Sequence, residues 1–299
     1  MILDSTMIMT FMQCPRKMFF RYRKHWSPNE SSIHLEFGTA WHLAKEHLLW
    51  NPTDIEGAMR LFLDHYRKHY PQSSDAANAP KAPGNALDAL ISYARRDFHG
   101  RKILHTEVAG VVPLADDLQV AFKMDAVVED ANGGIWVIDH KTGSRLTAGW
   151  ADSWLVSPQL CIYTHVLEHY YGQDRVKGAR VEGTIFRKND HEHIDVPVTK
   201  TAAGASPLFW SILNTVDYIK WNIAEEEATS PDDPLLAAWP MRPNACFDYA
   251  RQCPYFGYCA FCGNPLGRQC PAEFSEVVWS PLDKLADRKT MNEPPQEAV

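Results

Sequence analysis

The sequence predicts an α/β protein: a mixed central sheet flanked by helices, followed by a small cysteine-rich module. Three observations predict it. Residues 35–98 contain three helix-length stretches, residues 105–143 turn to β-branched runs separated by turn signals, and five of the seven cysteines fall within residues 246–270.

Each element follows from local chemistry. Ser5 is expected to cap a helix running to about Gln13. Helices are expected over 35–50, with Leu35, Trp41, Leu48 and Leu49 as core contacts, over 55–70 and over 87–98. The Pro-, Ala- and Ser-rich stretch at 71–86 reads as a mobile loop. HTEVAGVVPL, LQVAFKMDAVVED and GIWVIDHKTG read as three consecutive antiparallel strands, separated by Asp116-Asp117 and Asn132-Gly133-Gly134. Ser157-Pro158 has the character of a cap and first turn for a helix to Tyr171. Two more strands are expected in VKGARVEGTIFRK and HIDVPV, then a helix over 206–227 with Trp210, Leu213, Val216 and Ile219 on one side. The division expected is a domain over 1–240, a cysteine-rich module over 241–275 and a polar tail over 276–299.

A formal net charge of −7 argues against a protein that coats nucleic acid through bulk positive charge, yet leaves room for an enzyme with a local basic groove. No apolar stretch approaches the roughly 18 residues of a membrane span. The opening MILDSTMIMTFMQCPRK lacks the pattern of a secretion signal, so a cytoplasmic protein is expected. An odd number of cysteines there fits metal binding better than a disulfide framework.

Asp125 and Asp139 fall late in successive strands joined by a tight turn, where they can lie side by side. Two adjacent carboxylates repel unless something positive lies between them, and a divalent cation is the usual solution. Lys141, two residues after Asp139, projects from the same strand face. Two acids and an ammonium converging on one point suit phosphodiester hydrolysis with Mg²⁺ or Mn²⁺. The alternative is a surface hairpin with ordinary polar residues. Glu107 could line the same groove, although a solvent-facing position suits it better.

GTAWH (38–42), Asp125, IDHKTG (138–143) and Gln159-Leu160-Cys161-Ile162-Tyr163 occur in the order seen in RecB-like nucleases of the PD-(D/E)xK superfamily. Over residues 5–262 the chain resembles the CRISPR-associated RecB-like exonucleases and the iron-sulfur nuclease domains of helicase-nucleases. The resemblance implies a restriction-endonuclease-like fold. It implies metal ligation by His42, Asp125, Asp139 and the backbone carbonyl of His140, with Lys141 as the catalytic lysine and Gln159 and Tyr163 beside the site. It also implies a [4Fe-4S] cluster on one N-terminal and three C-terminal cysteines: Cys14, Cys246, Cys253 and Cys259. The C-x6-C spacing here is longer than the familiar one, and Cys262 and Cys270 lie nearby, so a Zn²⁺ site on Cys253, Cys259, Cys262 and Cys270 is the rival. Cys161 reads as core.

Arg16, Lys17, Arg21, Arg23 and Lys24 interleave with Phe19, Phe20, Tyr22 and Trp26. At least one or two of the cations, among Arg16, Lys17, Arg21 and Arg23, are expected to border a DNA groove, and most of the aromatics to form core. The expected activity is metal-dependent DNA cleavage, as an exonuclease on single-stranded DNA or DNA ends. A helicase, recombinase or CRISPR-adaptation protein is the expected partner, and a homo-oligomer is compatible. The other readings are a non-catalytic iron-sulfur DNA-binding subunit and a zinc-binding interaction protein.

Overall fold

The computed structural model describes residues 1–30, 32–96, 100–199 and 207–285. The chain divides into two compact units, one of residues 1–30, 111–121 and 203–284 and the other of 31–110, 122–202 and 285–299. Among the described residues no helix is long and apolar enough to cross a membrane.

The first unit opens with β1 (Ile2–Asp4), which pairs in parallel with residues 119–121, and α1 (Ser5–Gln13). Asp4 caps α1, its carboxylate accepting the Met7 N–H at 2.8 Å, and Ser5 is already the first helical residue. The aromatics of the basic run are core. Phe20 stacks on Trp26 and on Tyr255, each at 5.3 Å between centroids, and Tyr255 stacks on Phe274 at 5.1 Å. In this unit's long helix, Pro207–Ala228, the buried stripe is Ile212, Val216, Ile219 and Asn222. Trp210 lies off that stripe and is 65% exposed, and Leu213 is half-buried, contrary to the expected apolar side.

The second unit begins with α2 (Ile33–Trp50), α3 (Ile55–Tyr66) and α4 (Pro83–Ala94). Ser32 caps α2 and Asp54 caps α3. Phe37, Trp41, Phe62, Tyr66, Leu90 and Tyr93 share one core with Phe186. Each buried phenylalanine contributes roughly 1.5–3 kcal/mol. Trp41 and Leu48 are buried as expected, but Leu35 is exposed and Leu49 half-buried.

The stretch at 71–86 is not the loop its composition suggests. Gln72–Ser74 and Asp75–Asn78 form short helical turns. Arg67 grips Asp75 through two bonds of 2.6 and 2.7 Å, and the Tyr66 hydroxyl donates to the Lys81 carbonyl at 2.9 Å. Ala82 is buried, and Pro83 opens α4, where its fixed φ suits the first helical position. Part of the expected 87–98 helix lies outside the described residues, as does most of the polar tail.

The sheet is mixed. Strands β2 (Lys102–Ala115) and β3 (Leu118–Glu129) pair with each other, and β3 pairs antiparallel with β4 (Ile135–Gly143). The crossover helix α5 (Pro158–Tyr171) leads into β5 (Val176–Phe186), which is parallel to β4, and β6 (His191–Thr199) returns antiparallel. The Ser157 hydroxyl caps α5 by accepting the Leu160 N–H, as the Ser-Pro pair indicated.

Candidate active site

The β3–β4 turn is shaped by Asp130. Its carboxylate accepts the N–H groups of Asn132 and Gly134, both at 2.9 Å, and the Trp136 indole N–H at 2.8 Å. Gly133, at φ +78°, supplies the left-handed residue that this turn needs. The resulting register pairs Ala126 with Ile138, and one step further sets Asp125 opposite Asp139. Asp125 Oδ2 accepts the His140 N–H at 2.7 Å, which ties the two strands together at this level.

Lys141 Nζ lies 2.8 Å from Asp139 Oδ2 and donates to Gln159 Oε1 at 3.0 Å. The Gln159 amide donates to the Tyr163 hydroxyl at 2.9 Å, and that hydroxyl donates to the Lys123 carbonyl. The i, i+4 pair on α5 thereby fixes the lysine from one side and the sheet backbone from the other. From α2, His42 Nδ1 stands 3.0 Å from Asp125 Oδ1.

Glu107 belongs to this centre. It is only 7% exposed, so the solvent-facing expectation for it fails. Its carboxylate lies 3.1 Å from Lys123 Nζ, and the ligand atoms of His42, Glu107 and Asp125 all lie within 4.8 Å of one another. Glu107 also has a φ of +47°, strained for a non-glycine residue and of the kind that persists where surrounding structure enforces it. Its place on a β-branched strand was the only signal in the sequence.

Electrostatics separate the two hairpin acids. Burial works to raise the Asp125 pKa, but His42, His140 and Lys141 outweigh it and hold the carboxyl well below the usual range. Asp139 is pushed up, first by burial and then by the charge of Asp125, against the pull of Lys141. Burial opposes the charge of Lys141, yet Asp139 and Asp125 keep its pKa raised, so the ammonium persists. Buried carboxylates in excess, with an imidazole beside them, form a donor set that fits Mg²⁺ or Mn²⁺.

Behind this group lies a second layer that the sequence did not reveal. Lys45 Nζ is 3.1 Å from Glu182 Oε2 and 2.9 Å from His140 Nδ1. Glu182 also accepts from the Tyr93 hydroxyl at 2.9 Å and from Arg101 at 2.7 Å. Burial, aided by Lys45, lowers the His140 pKa to about 3, so its ring is neutral and Nδ1 accepts from the Lys45 ammonium. Lys45 lies one turn past His42, and Glu182 is the β5 partner of His140 in the parallel register. The first relationship was readable from helical spacing; the second needed the strand pairing.

In the other unit, the cysteines fall into groups. Burial and the nearby thiols of Cys14, Cys246 and Cys253 raise the Cys259 pKa to about 11, against the opposing charge of Arg16. The Cys253 N–H donates to the Cys246 carbonyl at 2.8 Å. Cys262 faces the Tyr258 hydroxyl, and the charged neighbours of Cys270 are Glu276, Lys24 and Glu273. Cys14 and Cys246 are also electrostatic neighbours of Cys253.

The basic run serves the fold more than an open groove. Arg16, expected at DNA, is 6% exposed; it donates to the Leu236 carbonyl at 3.1 Å and faces the thiols of Cys259, Cys14 and Cys262. Lys17 donates to Gln13 at 2.8 Å, and Arg23 pairs with Glu226 at 2.9 Å. Arg21 donates to the Val277 carbonyl at 3.1 Å and lies 5.5 Å from the Trp279 ring.

Carboxylates, an imidazole and a lysine on a mixed sheet define a metal-dependent nuclease. The chain belongs to the PD-(D/E)XK nuclease superfamily, whose family model matches residues 5–260. Asp139-His140-Lys141 has the spacing that the family's name writes as (D/E)XK, and Met124 precedes Asp125 where that name has proline. Among solved structures, the crystal structure of SSO0001 is similar at 12% identity, covering 60% of this chain and 84% of its own, with a TM-score of 0.29. The SPO1766 protein of unknown function from Silicibacter pomeroyi is similar at 16% identity, covering 45% and 87%, with a TM-score of 0.16. None of the curated proteins matches.

Proposed function

We propose that this protein is a Mg²⁺- or Mn²⁺-dependent deoxyribonuclease of the RecB-like type, acting as an exonuclease on single-stranded DNA or DNA ends. The observation that carries the reading is the charged Lys141, held 2.8 Å from Asp139 and 3.0 Å from Gln159 beside the Asp125–His42 pair. Asp125, Asp139, His42 and the His140 carbonyl would hold the ion, and Glu107 would join them. When bound, the ion neutralises phosphate charge and acidifies water. Lys141 stabilises the charge that develops on the phosphate, and Gln159 and Tyr163 hold Lys141 in line.

Cys14, Cys246, Cys253 and Cys259 carry a structural [4Fe-4S] cluster in the same reading. Their mutual proximity supports it, and four thiolates meet the cluster's needs. Lys17, Arg21 and Arg23 remain the candidates for phosphate contacts, and a helicase, recombinase or CRISPR-adaptation protein would supply DNA ends. The test is cleavage of single- and double-stranded DNA with Mg²⁺ or Mn²⁺ by the wild type and Lys141→Ala. Loss of cutting in the variant is expected; equal activity in both rejects the site.

A further inference from the structure

We propose a second metal site, built by Glu36 from α2 with His65 from the last turn of α3 and His69 from the turn that follows it, which takes Zn²⁺ or a similar nitrogen-preferring transition metal. It shares no residue with the candidate active site and does not depend on the nuclease reading.

The geometry rests on one carboxylate oxygen. Glu36 Oε2 stands 2.9 Å from His65 Nε2 and 3.2 Å from His69 Nε2. All three ligand atoms lie within 4.8 Å of one another. With metal–nitrogen and metal–oxygen bonds of about 2.0–2.2 Å, neighbouring corners of a tetrahedron are about 3.3–3.6 Å apart. The two glutamate–histidine separations fall a few tenths of an ångström short, so an ion enters with small side-chain adjustments.

The turn that closes α3, in which the His69 N–H donates to the Tyr66 carbonyl at 3.1 Å, explains how the site arises. His65 and His69 are four residues apart, and their rings lie 5.2 Å apart at 41°, side by side. Glu36 is 8% exposed, whereas His69 opens to solvent. A buried carboxylate thus faces an entry path lined by two imidazoles. Two histidines and one carboxylate leave a fourth position for water. Such a set favours Zn²⁺ over Mg²⁺, which prefers all-oxygen coordination.

The consequence is a clamp. Glu36 precedes Phe37 on α2 and His65 precedes Tyr66 on α3, and both aromatics belong to the core shared by these helices. An ion here fastens α2 to α3 from outside that core.

Zn²⁺ titration of the full chain, first treated with a chelating resin, tests the site against His69→Ala and Glu36→Gln. The thiols and the candidate active site take Zn²⁺ as well, so the quantity read is the difference. We expect each variant to bind one equivalent fewer than the wild type and to show a smaller Zn²⁺-induced rise in melting temperature. A His42→Ala variant retains both signals of this site. His69→Ala changes a solvent-accessible side chain, and Glu36→Gln keeps shape and volume, so one guards against misfolding in the other. Unchanged stoichiometry in both variants, or a melting shift as large as the wild type's in both, would leave a hydrogen-bonded triad only and overturn the proposal.

Discussion

Lys45 and Glu182 form an ion pair of 3.1 Å in which neither side chain is more than 2% exposed. The same Lys45 ammonium reaches the His140 ring, whose backbone N–H is bonded to Asp125. The pair therefore sets the strand that carries the candidate metal ligands. Removing one partner of a buried pair leaves an uncompensated charge, at a cost of about 3–5 kcal/mol. Lys45→Met is expected to lie near the lower figure, because Tyr93 and Arg101 still hold Glu182. Urea unfolding at pH 7 measures it. Burial acts to raise the Glu182 pKa, but Lys45, His140 and Arg101 outweigh it, and the folded value lies below the ordinary 4.5. Its contribution is present above that value and is lost as pH falls through the folded one, so the gap between wild type and variant narrows in acid.

The Lys141–Gln159–Tyr163 chain separates a catalytic group from residues that position it. Lys141→Ala should lower the cleavage rate by about 10²–10³-fold, the effect of losing a charge-stabilising group. Tyr163→Phe removes the hydroxyl that accepts from the Gln159 amide and donates to the Lys123 carbonyl, and leaves Lys141 and Gln159 in place. It should slow cleavage much less, with DNA affinity unchanged. Single-turnover rates beside equilibrium DNA binding distinguish the two; an equal loss in both variants would contradict this division of labour.

Glu107→Gln tests whether the strained strand residue joins the metal ligands. It keeps the shape of the side chain and removes its charge. Mn²⁺ affinity, read from the electron paramagnetic resonance of free Mn²⁺, should fall on the order of 10–100-fold. An unchanged affinity would assign Glu107 to pairing with Lys123 alone.

Local pattern made much of this molecule readable. Strand alternation and the Asn-Gly-Gly turn located the hairpin, and spacing alone set Asp139 and Lys141 on one face and Gln159 beside Tyr163. What stayed hidden depends on long-range pairing. Glu182 acquires its meaning from the parallel register with His140, and Glu107 from a backbone twist that sequence does not encode simply. The 71–86 segment misleads because its composition is loop-like, while Arg67, Tyr66 and Asp75 supply the bonds that order it. Arg16 looks like a phosphate contact until burial turns it toward thiols and a carbonyl.

The cysteine groups give a prediction with internal controls. Cys14→Ser, Cys246→Ser, Cys253→Ser and Cys259→Ser should each reduce absorbance near ~400 nm and lower the melting temperature, if the four thiols hold an iron-sulfur cluster. Cys161→Ser and Cys270→Ser should retain the colour. A colourless wild type containing zinc, with Cys270→Ser losing it, would favour the alternative set instead.

Lys81 offers a pH prediction free of any metal. Its side chain is buried, with the ammonium 4.7 Å from the Phe37 ring and 5.2 Å from that of Phe186. Cation–π attraction offsets part of the desolvation cost, but burial still lowers the pKa to about 7. The unfolded chain therefore binds this proton more tightly than the folded one, and stability rises with pH from about 7 to the ordinary lysine value of 10.5. Below that window both states are protonated and the full penalty is felt. Lys81→Met removes the charge and keeps the length. It should stabilise the protein at pH 6 by up to roughly 5 kcal/mol, the free-energy equivalent of the displacement, and by progressively less as pH approaches 10. Chemical denaturation of both proteins from pH 6 to pH 10 checks the slope. A stability difference that stays constant across the range would mean that Lys81 titrates normally in the folded chain.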